Sequence, residues 1–103
     1  MSNFCRITTT ASRDIEIIMD YLAERVNIAK AEYFLEKINA KFTLLTKFPK
    51  IGRKRGELYP NLRSIALDDY LIFYRLVSGG VEIMRVLGGY RDLEGLFTEN
   101  NED

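Results

Sequence analysis

The chain has 103 residues, a length that fits one domain and leaves no room for two. Its residues are 47% hydrophobic and include six Phe and six Tyr, which excludes disorder over most of the length. The single cysteine, Cys5, cannot form an internal disulfide, and the first residues lack the pattern of a signal peptide. No apolar run reaches the ~18 residues that a membrane helix needs. We therefore expect a cytoplasmic protein with no membrane association.

The charges cancel over the whole chain, which has 15 basic and 15 acidic residues, but they are distributed unevenly. Residues 1–46 contain six of each sign, whereas residues 47–91 contain nine basic and four acidic residues. Residues 92–103 contain five acidic residues and no basic one. A basic middle segment followed by an acidic tail favours an anionic partner for the middle segment.

The first half of the chain predicts one strand and two helices. Residues Phe4 to Thr8 alternate as in a strand, and hydroxyl residues then offer caps for a helix from Ser12 to Val26. Asn27 separates it from a second predicted helix, Ile28 to Lys47, so the two should form an antiparallel hairpin. Each predicted helix has one apolar stripe. The stripes comprise Ile15, Ile18, Met19, Leu22 and Val26, and Ala31, Phe34, Leu35, Ile38, Phe42, Leu45 and Phe48.

The second half predicts a basic loop and then a three-stranded meander. Pro49 ends the second helix and opens a loop that contains two glycines and four basic residues. The predicted strands are Leu62 to Leu67, Tyr70 to Val77 and Val81 to Leu87, joined by short turns and therefore antiparallel. The second of them should be central, because it is apolar on both faces except at Arg75.

The predicted order is β-α-α-β-β-β, an α+β fold with the helical hairpin on a small antiparallel sheet. Residues 92–97 add a short helical turn, and residues 98–103 form a polar tail. We expect one domain over residues 1–103, with its core at about 4–97.

The composition removes several kinds of catalytic chemistry. The chain has no histidine and one cysteine, so it lacks the usual general base and the ligands of a Cys/His zinc site. No phosphate-binding glycine motif is present, and we expect no cofactor and no metal. Asp14 and Glu16 lie two apart on a helix and point in different directions, so they lack the arrangement of a carboxylate dyad, and we expect both to be solvated.

The basic residues of the middle segment are the most informative candidates for a site. Arg63, Arg75 and Arg85 lie on three successive predicted strands, so a common face would give a row of guanidinium groups that suits phosphate or carboxylate. They are equally compatible with ordinary solvent-facing arginines. The candidate anion-binding or partner-binding residues are Lys50, Arg53, Lys54, Arg55, Arg63, Arg75, Arg85 and Arg91. The partner could be nucleic acid or an acidic protein segment.

An ordered series of short motifs resembles the RelE/ParE toxin superfamily, and most closely its ParE branch of plasmid stabilisation proteins. The series comprises Ala11-x-x-Asp14-Ile15, Ile18-x-x-Tyr21-Leu22, Ala31-x-x-Phe34-Leu35, Phe48-Pro49-x-x-Gly52-Arg53, Leu62-Arg63-Ser64, Tyr70-Leu71-Ile72-Phe73-Tyr74-Arg75, Val81-x-Ile83-x-Arg85-Val86-Leu87 and Gly89-x-Arg91-Asp92. The resemblance covers about residues 4–97 and implies a helical hairpin packed on an antiparallel sheet.

The resemblance implies the toxin of a type II toxin–antitoxin system that inhibits DNA gyrase by protein binding. It also implies a ParD-like antitoxin as partner, a small DNA-binding protein whose acidic segment covers the toxin, with operator DNA contacted only through that antitoxin. RelE-type relatives instead cut mRNA on the ribosome, and that role would fall to Lys50, Lys54, Arg63, Arg85 and Tyr90. Gly88 stands where many relatives have histidine, which favours the ParE role. A non-toxic relative that only binds an antitoxin is the third alternative.

Overall fold

The computed structural model describes residues 3–88 and confirms the predicted α+β class. Its elements are β1 (Phe4–Ile7), α1 (Thr9–Arg25), α2 (Ile28–Lys47), β2 (Arg53–Lys54), β3 (Leu62–Leu67), β4 (Tyr70–Val77) and β5 (Gly80–Gly88). The two-residue strand β2 was predicted as loop, because so short a strand has no periodicity of its own. The predicted helical turn at 92–97 and the polar tail lie outside the described residues.

Helix α1 begins one turn earlier than its sequence suggests. The N-cap is Thr8, whose Oγ1 accepts a hydrogen bond from the Ala11 amide at 3.1 Å and donates one to the Ile83 carbonyl at 2.9 Å. Thr8 therefore caps the helix and ties its start to β5 at the same time. At the start of α2, the Asn27 side chain accepts a bond from the Lys30 amide at 2.8 Å, which confirms the predicted break.

The sheet has five strands in the order β1-β5-β4-β3-β2, so β4 is central as predicted. All neighbouring pairs are antiparallel except β1 and β5, which run parallel with Phe4 opposite Gly80 and Ile7 opposite Ile83. The helical hairpin connects β1, at one edge of the sheet, to β2, at the other edge. Such a long connection, rather than a tight turn, lets the last strand β5 lie parallel to β1. The turns before β4 and β5 use positive φ at Asp68 (52°) and Gly79 (85°).

Both helices pack on the same face of the sheet and enclose the main core. Its buried members are Ala11, Leu22, Ala31, Phe34, Ile38, Phe42, Leu45, Leu67, Ile72, Tyr74, Val81, Ile83 and Val86. A smaller cluster on the other face contains Leu62, Phe73 and Leu87, with Leu58 and Tyr59 packed against it. Three predicted stripe residues, Val26, Leu35 and Phe48, are exposed instead, and two of them lie just beyond helix ends.

Within residues 3–88, neither helix combines the length and the apolar character that a membrane span requires.

Candidate functional site

The strand register places Arg63 and Arg75 on opposite faces of the sheet, so the predicted row of guanidinium groups is wrong. Arg63 is opposite Tyr74, whose side chain lies in the core beneath the helices, and Arg75 is opposite Leu62, which belongs to the cluster on the other face. Neighbours across a strand pair share a face. Within one strand, residues an even number of positions apart share a face. Arg63 and Arg75 are twelve positions apart, but they lie on two strands joined by a turn, and the register of that pair places them on opposite faces.

Arg85 binds a carboxylate of its own chain and is not directed into a shared surface with the other two arginines. Its Nε and Nη2 donate to Asp14 Oδ2 and Oδ1 at 2.8 and 3.0 Å. In the pairing of β4 with β5, the register shifts between Phe73, which is opposite Arg85, and Tyr74, as it does at a β-bulge. Arg85 therefore joins β5 to α1 through a two-point ion pair.

Asp14 is buried, with 9% of its surface exposed, and the prediction that it is solvated is wrong. Strand β1 ends at Ile7, so among residues 3–88 no strand lies beside the edge of β5 beyond Ile83. Asp14 Oδ2 accepts a bond from the Val86 amide in that stretch at 3.0 Å. One carboxylate thus satisfies both a guanidinium and an amide at the sheet edge.

Glu82 forms a second internal pairing, on the face of the sheet away from the helices. Its two oxygens lie 2.8 Å from Arg6 Nη2 and 2.7 Å from Arg75 Nη2. Burial by itself would raise the pKa of Glu82, but hydrogen bonds and charge from Arg75 and Arg6 outweigh it and hold the pKa below its ordinary value. Glu82 therefore stays ionised between the two arginines.

The segment after α2 has the opposite electrostatic character. We name residues 49–56 the basic loop. Within residues 3–88, Lys50, Arg53 and Lys54 form no salt bridge, whereas Arg55 pairs with the exposed Glu57 at 2.9 Å. The Arg55 guanidinium also lies 5.7 Å from the centroid of the Phe73 ring, which holds it against the sheet. Three exposed cations of this loop therefore lie outside every salt bridge of the described residues.

The basic loop is held in place by a buried tyrosine. Tyr74 Oη accepts a hydrogen bond from the Gly52 amide at 2.9 Å and donates one to the Pro49 carbonyl at 2.7 Å. Burial raises the pKa of the Tyr74 hydroxyl, despite the opposing effects of the Gly52 amide and the Arg63 charge, so the group stays neutral and keeps its donor. A Cβ at Gly52 would collide with Tyr74 Oη and approach the Ser64 carbonyl oxygen to 2.9 Å. Glycine is therefore required at this position.

Arg63 supports the same loop from β3. Its Nη1 donates to the carbonyl oxygens of Lys50 and Gly52 at 3.1 and 2.9 Å, and within residues 3–88 it contacts no carboxylate. A cleft of about 460 Å³ opens beside it. The cleft is lined by Lys54, Gly56, Asn61, Leu62, Arg63 and Leu76.

A second concavity of about 300 Å³ lies between α1 and the end of β5. It is mainly apolar and is lined by Asp14, Ile17, Ile18, Tyr21, Tyr70, Val86, Leu87 and Gly88. Ile17 and Tyr21 are 60% and 54% exposed, so α1 presents uncovered apolar surface here. The molecule thus has a basic surface around the loop and an apolar groove beside α1.

The residues proposed for a nuclease are only partly brought together. Lys54 and Arg63 line one cleft, and Lys50 contacts Arg63 through its carbonyl oxygen. Arg85 is engaged with Asp14 of α1 instead. Tyr90 and Arg91 lie outside the described residues. The anion-binding roles assigned to the candidate residues stay predictions.

Two of the residues that organise the site were missed by sequence reasoning, although each had a usable signal. Asp14 stands at the helical spacing of Ala11 and Ile18, and so falls within the apolar stripe of α1. Tyr74 lies two residues after Ile72, and therefore on the same face of a strand that is apolar on both faces. A polar group at an apolar position indicates a buried partner. The identity of that partner came only from the fold.

This arrangement defines a small α+β protein with a helical hairpin on a mostly antiparallel sheet and a basic loop at the sheet's end. The same fold occurs in a solved structure described as the chromosomal ParDE TA system from P. aeruginosa, with a TM-score of 0.73. The match covers 85% of this chain and 96% of that chain at 20% identity.

Sequence comparison identifies the family. Residues 5–93 match the family model of the ParE toxin of the type II toxin–antitoxin system, parDE. Toxin ParE3 of Caulobacter vibrioides is 31% identical over 86 residues, which cover 84% of this chain and 86% of that toxin. Toxin ParE1 of Mycobacterium tuberculosis is 26% identical over 95 residues, which cover 91% and 97%. The chain belongs to the ParE toxin family of type II toxin–antitoxin systems, as its resemblance implied.

Proposed function

We propose that this ParE-family toxin inhibits DNA gyrase by binding to it as a protein, and that a ParD-like antitoxin neutralises it by covering the basic loop. The observation that carries the proposal is the division of the cations. Arg6, Arg75 and Arg85 are paired with internal carboxylates, whereas Lys50, Arg53 and Lys54 are exposed without one within residues 3–88. A cationic loop on a fixed support is suited to a rigid contact with an acidic protein surface.

The rigidity of the loop supports a binding role. Tyr74 and Arg63 together make four hydrogen bonds to the backbone of residues 49–52, so the cations project from a pre-formed segment. A pre-formed surface loses little conformational entropy when a partner binds. The apolar groove beside α1 supplies a second area that the antitoxin can cover. Operator DNA is then contacted through the antitoxin, and the complex acts in the cytoplasm.

An mRNA endoribonuclease is the second candidate, and one observation favours it. Lys54 and Arg63 line the same cleft, where a lysine could act as base and an arginine could bind a phosphate. Against this role, the guanidinium of Arg85 is already bound at two points by Asp14.

Parallel assays with the purified toxin test the proposal. We expect inhibition of gyrase supercoiling, relieved by equimolar antitoxin, and no cleavage of a ribosome-bound mRNA. Induced expression should cause filamentation with a DNA-damage response. Cleaved mRNA with rapid arrest of translation would establish the nuclease instead, and an absence of any growth defect would indicate a non-toxic antitoxin-binding relative.

Substitutions then locate the surface that acts on gyrase. The double variant Lys50→Gln, Arg53→Gln should lose inhibition, because both side chains are exposed and form no salt bridge with any residue of the described range 3–88. Arg13→Gln is the matched control, since Arg13 is an exposed arginine on α1 away from the loop. Equal inhibition by all three proteins would contradict the role of the basic loop.

A further inference from the structure

Three lysines of α2 form a row on one side of the helix, apart from its glutamates. At about 100° per residue, Lys30, Lys37 and Lys41 fall within about 40° of one another around the helix axis. We name these three residues the lysine row. Glu32 and Glu36 lie about 120° or more from the middle of the row. Two of the lysines are exposed and the third, Lys41, is partly buried, so the row follows one flank of α2.

This separation of charge leaves the lysine row without carboxylate partners. Residues three and four positions apart are neighbours on a helix, and opposite charges at these spacings stabilise it. None of the three lysines has an acidic residue at either spacing, and Lys37 and Lys41 are like charges four positions apart. Glu32 and Glu36 are also like charges at this spacing. In the part of the chain that the structure describes, no lysine of the row forms a salt bridge.

An aromatic ring positions two of the three lysines. The Nζ atoms of Lys30 and Lys37 each lie 5.2 Å from the centroid of the Tyr33 ring, which stands between them on the helix. A cation–π contact attracts an ammonium group to the ring without neutralising it. Tyr33 is 43% exposed, so the two ammonium groups are held at the surface of the molecule with their charge intact.

The lysine row is complementary to a partner whose charge is uniformly negative. At about 1.5 Å per residue, the row from Lys30 to Lys41 is about 16 Å long. The phosphates of one DNA strand recur about every 3.4 Å along the duplex, so the row is long enough to meet several of them. The same phosphates would repel Glu32 and Glu36, and this repulsion selects the flank of α2 that faces the DNA.

We propose that the lysine row of α2 binds the phosphate backbone of duplex DNA. This inference goes beyond the proposed function and beyond the family resemblance, which implies that DNA is contacted only through the antitoxin. Contacts to phosphates carry no sequence information, so two duplexes of unrelated sequence bind with the same affinity. The affinity falls steeply as salt is added, because each neutralised phosphate releases a counterion.

Fluorescence anisotropy with the full chain and a labelled duplex of about twenty base pairs, between about 50 and 200 mM salt, tests the row. The double variant Lys30→Gln, Lys37→Gln should bind about tenfold more weakly than the parent at the lower salt concentration. Its plot of log affinity against log salt should be shallower by about two, since two phosphate contacts are lost. Circular dichroism should show the helix content of the parent, because both side chains are exposed.

Two further double variants separate the row from general attraction to positive charge. Arg13→Gln, Arg25→Gln is the matched control, because it removes the same charge from exposed positions of α1. It should leave the affinity within about twofold, since salt screens charges that do not touch the DNA. Equal losses in this control and in the lysine-row variant would overturn the proposal. The proposal would also be wrong if Lys50→Gln, Arg53→Gln abolished binding while the lysine-row variant bound like the parent.

Competition identifies the class of partner. Unlabelled duplex should displace the labelled DNA, whereas polyglutamate at the same charge concentration should not. Equal displacement by polyglutamate would show that an acidic protein segment suits the row as well as DNA, and it would overturn the choice of DNA. Undetectable binding at the lower salt concentration, or a strong preference for one of two duplex sequences, would do the same. The assay contains neither gyrase nor antitoxin, so failure of this inference and failure of the proposed function are separate results.

Discussion

Two regions of this protein use arginine in opposite ways. Where β5 meets α1 and β1, Arg85 is bound by Asp14, and Arg6 and Arg75 share Glu82. In the basic loop and the adjoining β3, Arg53 and Arg63 have no carboxylate partner within residues 3–88. In the first region the charges join elements of the fold, whereas in the second region the charges stay exposed to solvent.

The difference shows that a count of basic residues does not locate a binding surface. Asp14 has 10% and Arg85 14% of its side chain exposed, so their charges are paired where water has little access. The basic loop is also fixed, but by the neutral Tyr74 hydroxyl and by the Arg63 guanidinium, which donates to carbonyl oxygens of the loop. Neither support cancels the positive charge of the loop. The cations that join elements of the fold are therefore different residues from those that remain exposed.

The largest effect is expected from breaking the ion pair of the first region. Asp14→Asn leaves the Arg85 charge in a buried site without its counterion, and we expect a loss of about 3 kcal/mol in the free energy of unfolding. Urea denaturation at neutral pH measures it. Glu16→Gln, at an exposed position of the same helix, should change stability by less than about 0.5 kcal/mol. Losses of equal size would show that Asp14 carries no special role.

The next effect concerns the neutral support of the second region. Gly52→Ala should cost about 2 kcal/mol of unfolding free energy, because the added methyl group collides with Tyr74 Oη and forces the loop from its place. Thermal unfolding followed by circular dichroism gives the value. Gly56→Ala is the matched control, since a Cβ there has no heavy atom within 4 Å. If both variants unfold like the parent, the loop is not held by Tyr74.

A smaller effect, with a distinct pH dependence, is expected at Glu82. Its pKa is lowered in the folded protein, so the unfolded chain takes up the proton first as the pH falls. The stabilisation is complete above the ordinary pKa of 4.5 and is lost as the pH falls through the folded value. Glu82→Gln should cost about 1 kcal/mol at neutral pH, because Arg6 and Arg75 are partly exposed and can hydrate.

The measurement for Glu82 is unfolding free energy as a function of pH. As the pH falls below about 4.5, the parent should lose more stability than the Gln variant, whose curve lacks the contribution of this carboxylate. Parallel curves would contradict the role assigned to the Arg6–Glu82–Arg75 pairing.

The smallest effect on stability is expected in the basic loop itself. Lys50→Gln, Arg53→Gln should change the unfolding free energy by less than about 0.5 kcal/mol, since both side chains are exposed and neither is in a salt bridge with residues 3–88. The same variant should bind the antitoxin more weakly and with a shallower dependence on salt, as expected when exposed charges are removed. Titration calorimetry at two salt concentrations measures both quantities. A large loss of stability would mean that these cations serve the fold.

Much of the fold could be predicted from local patterns. The bounds of β3 and β4 match the prediction, and Asn27 was correctly placed as the break between the helices. Each of these predictions depends only on residues that are close in sequence, through an alternating pattern, a helical spacing or a turn. The parallel pairing of β1 with β5 and the short strand β2 could not be read in this way, because each depends on distant chain segments.

The sequence by itself determined the elements, their order, the family and the concentration of positive charge after the second helix. Tertiary structure alone decided which of those charges are available, because the packing of α1 against β5 brings Asp14 to Arg85 and the strand register sends Arg63 and Arg75 to opposite faces. The physical reason is that an ion pair such as Arg85 with Asp14 joins residues 71 positions apart. Local patterns specify which side chains a strand carries, whereas register and helix packing specify which of them meet.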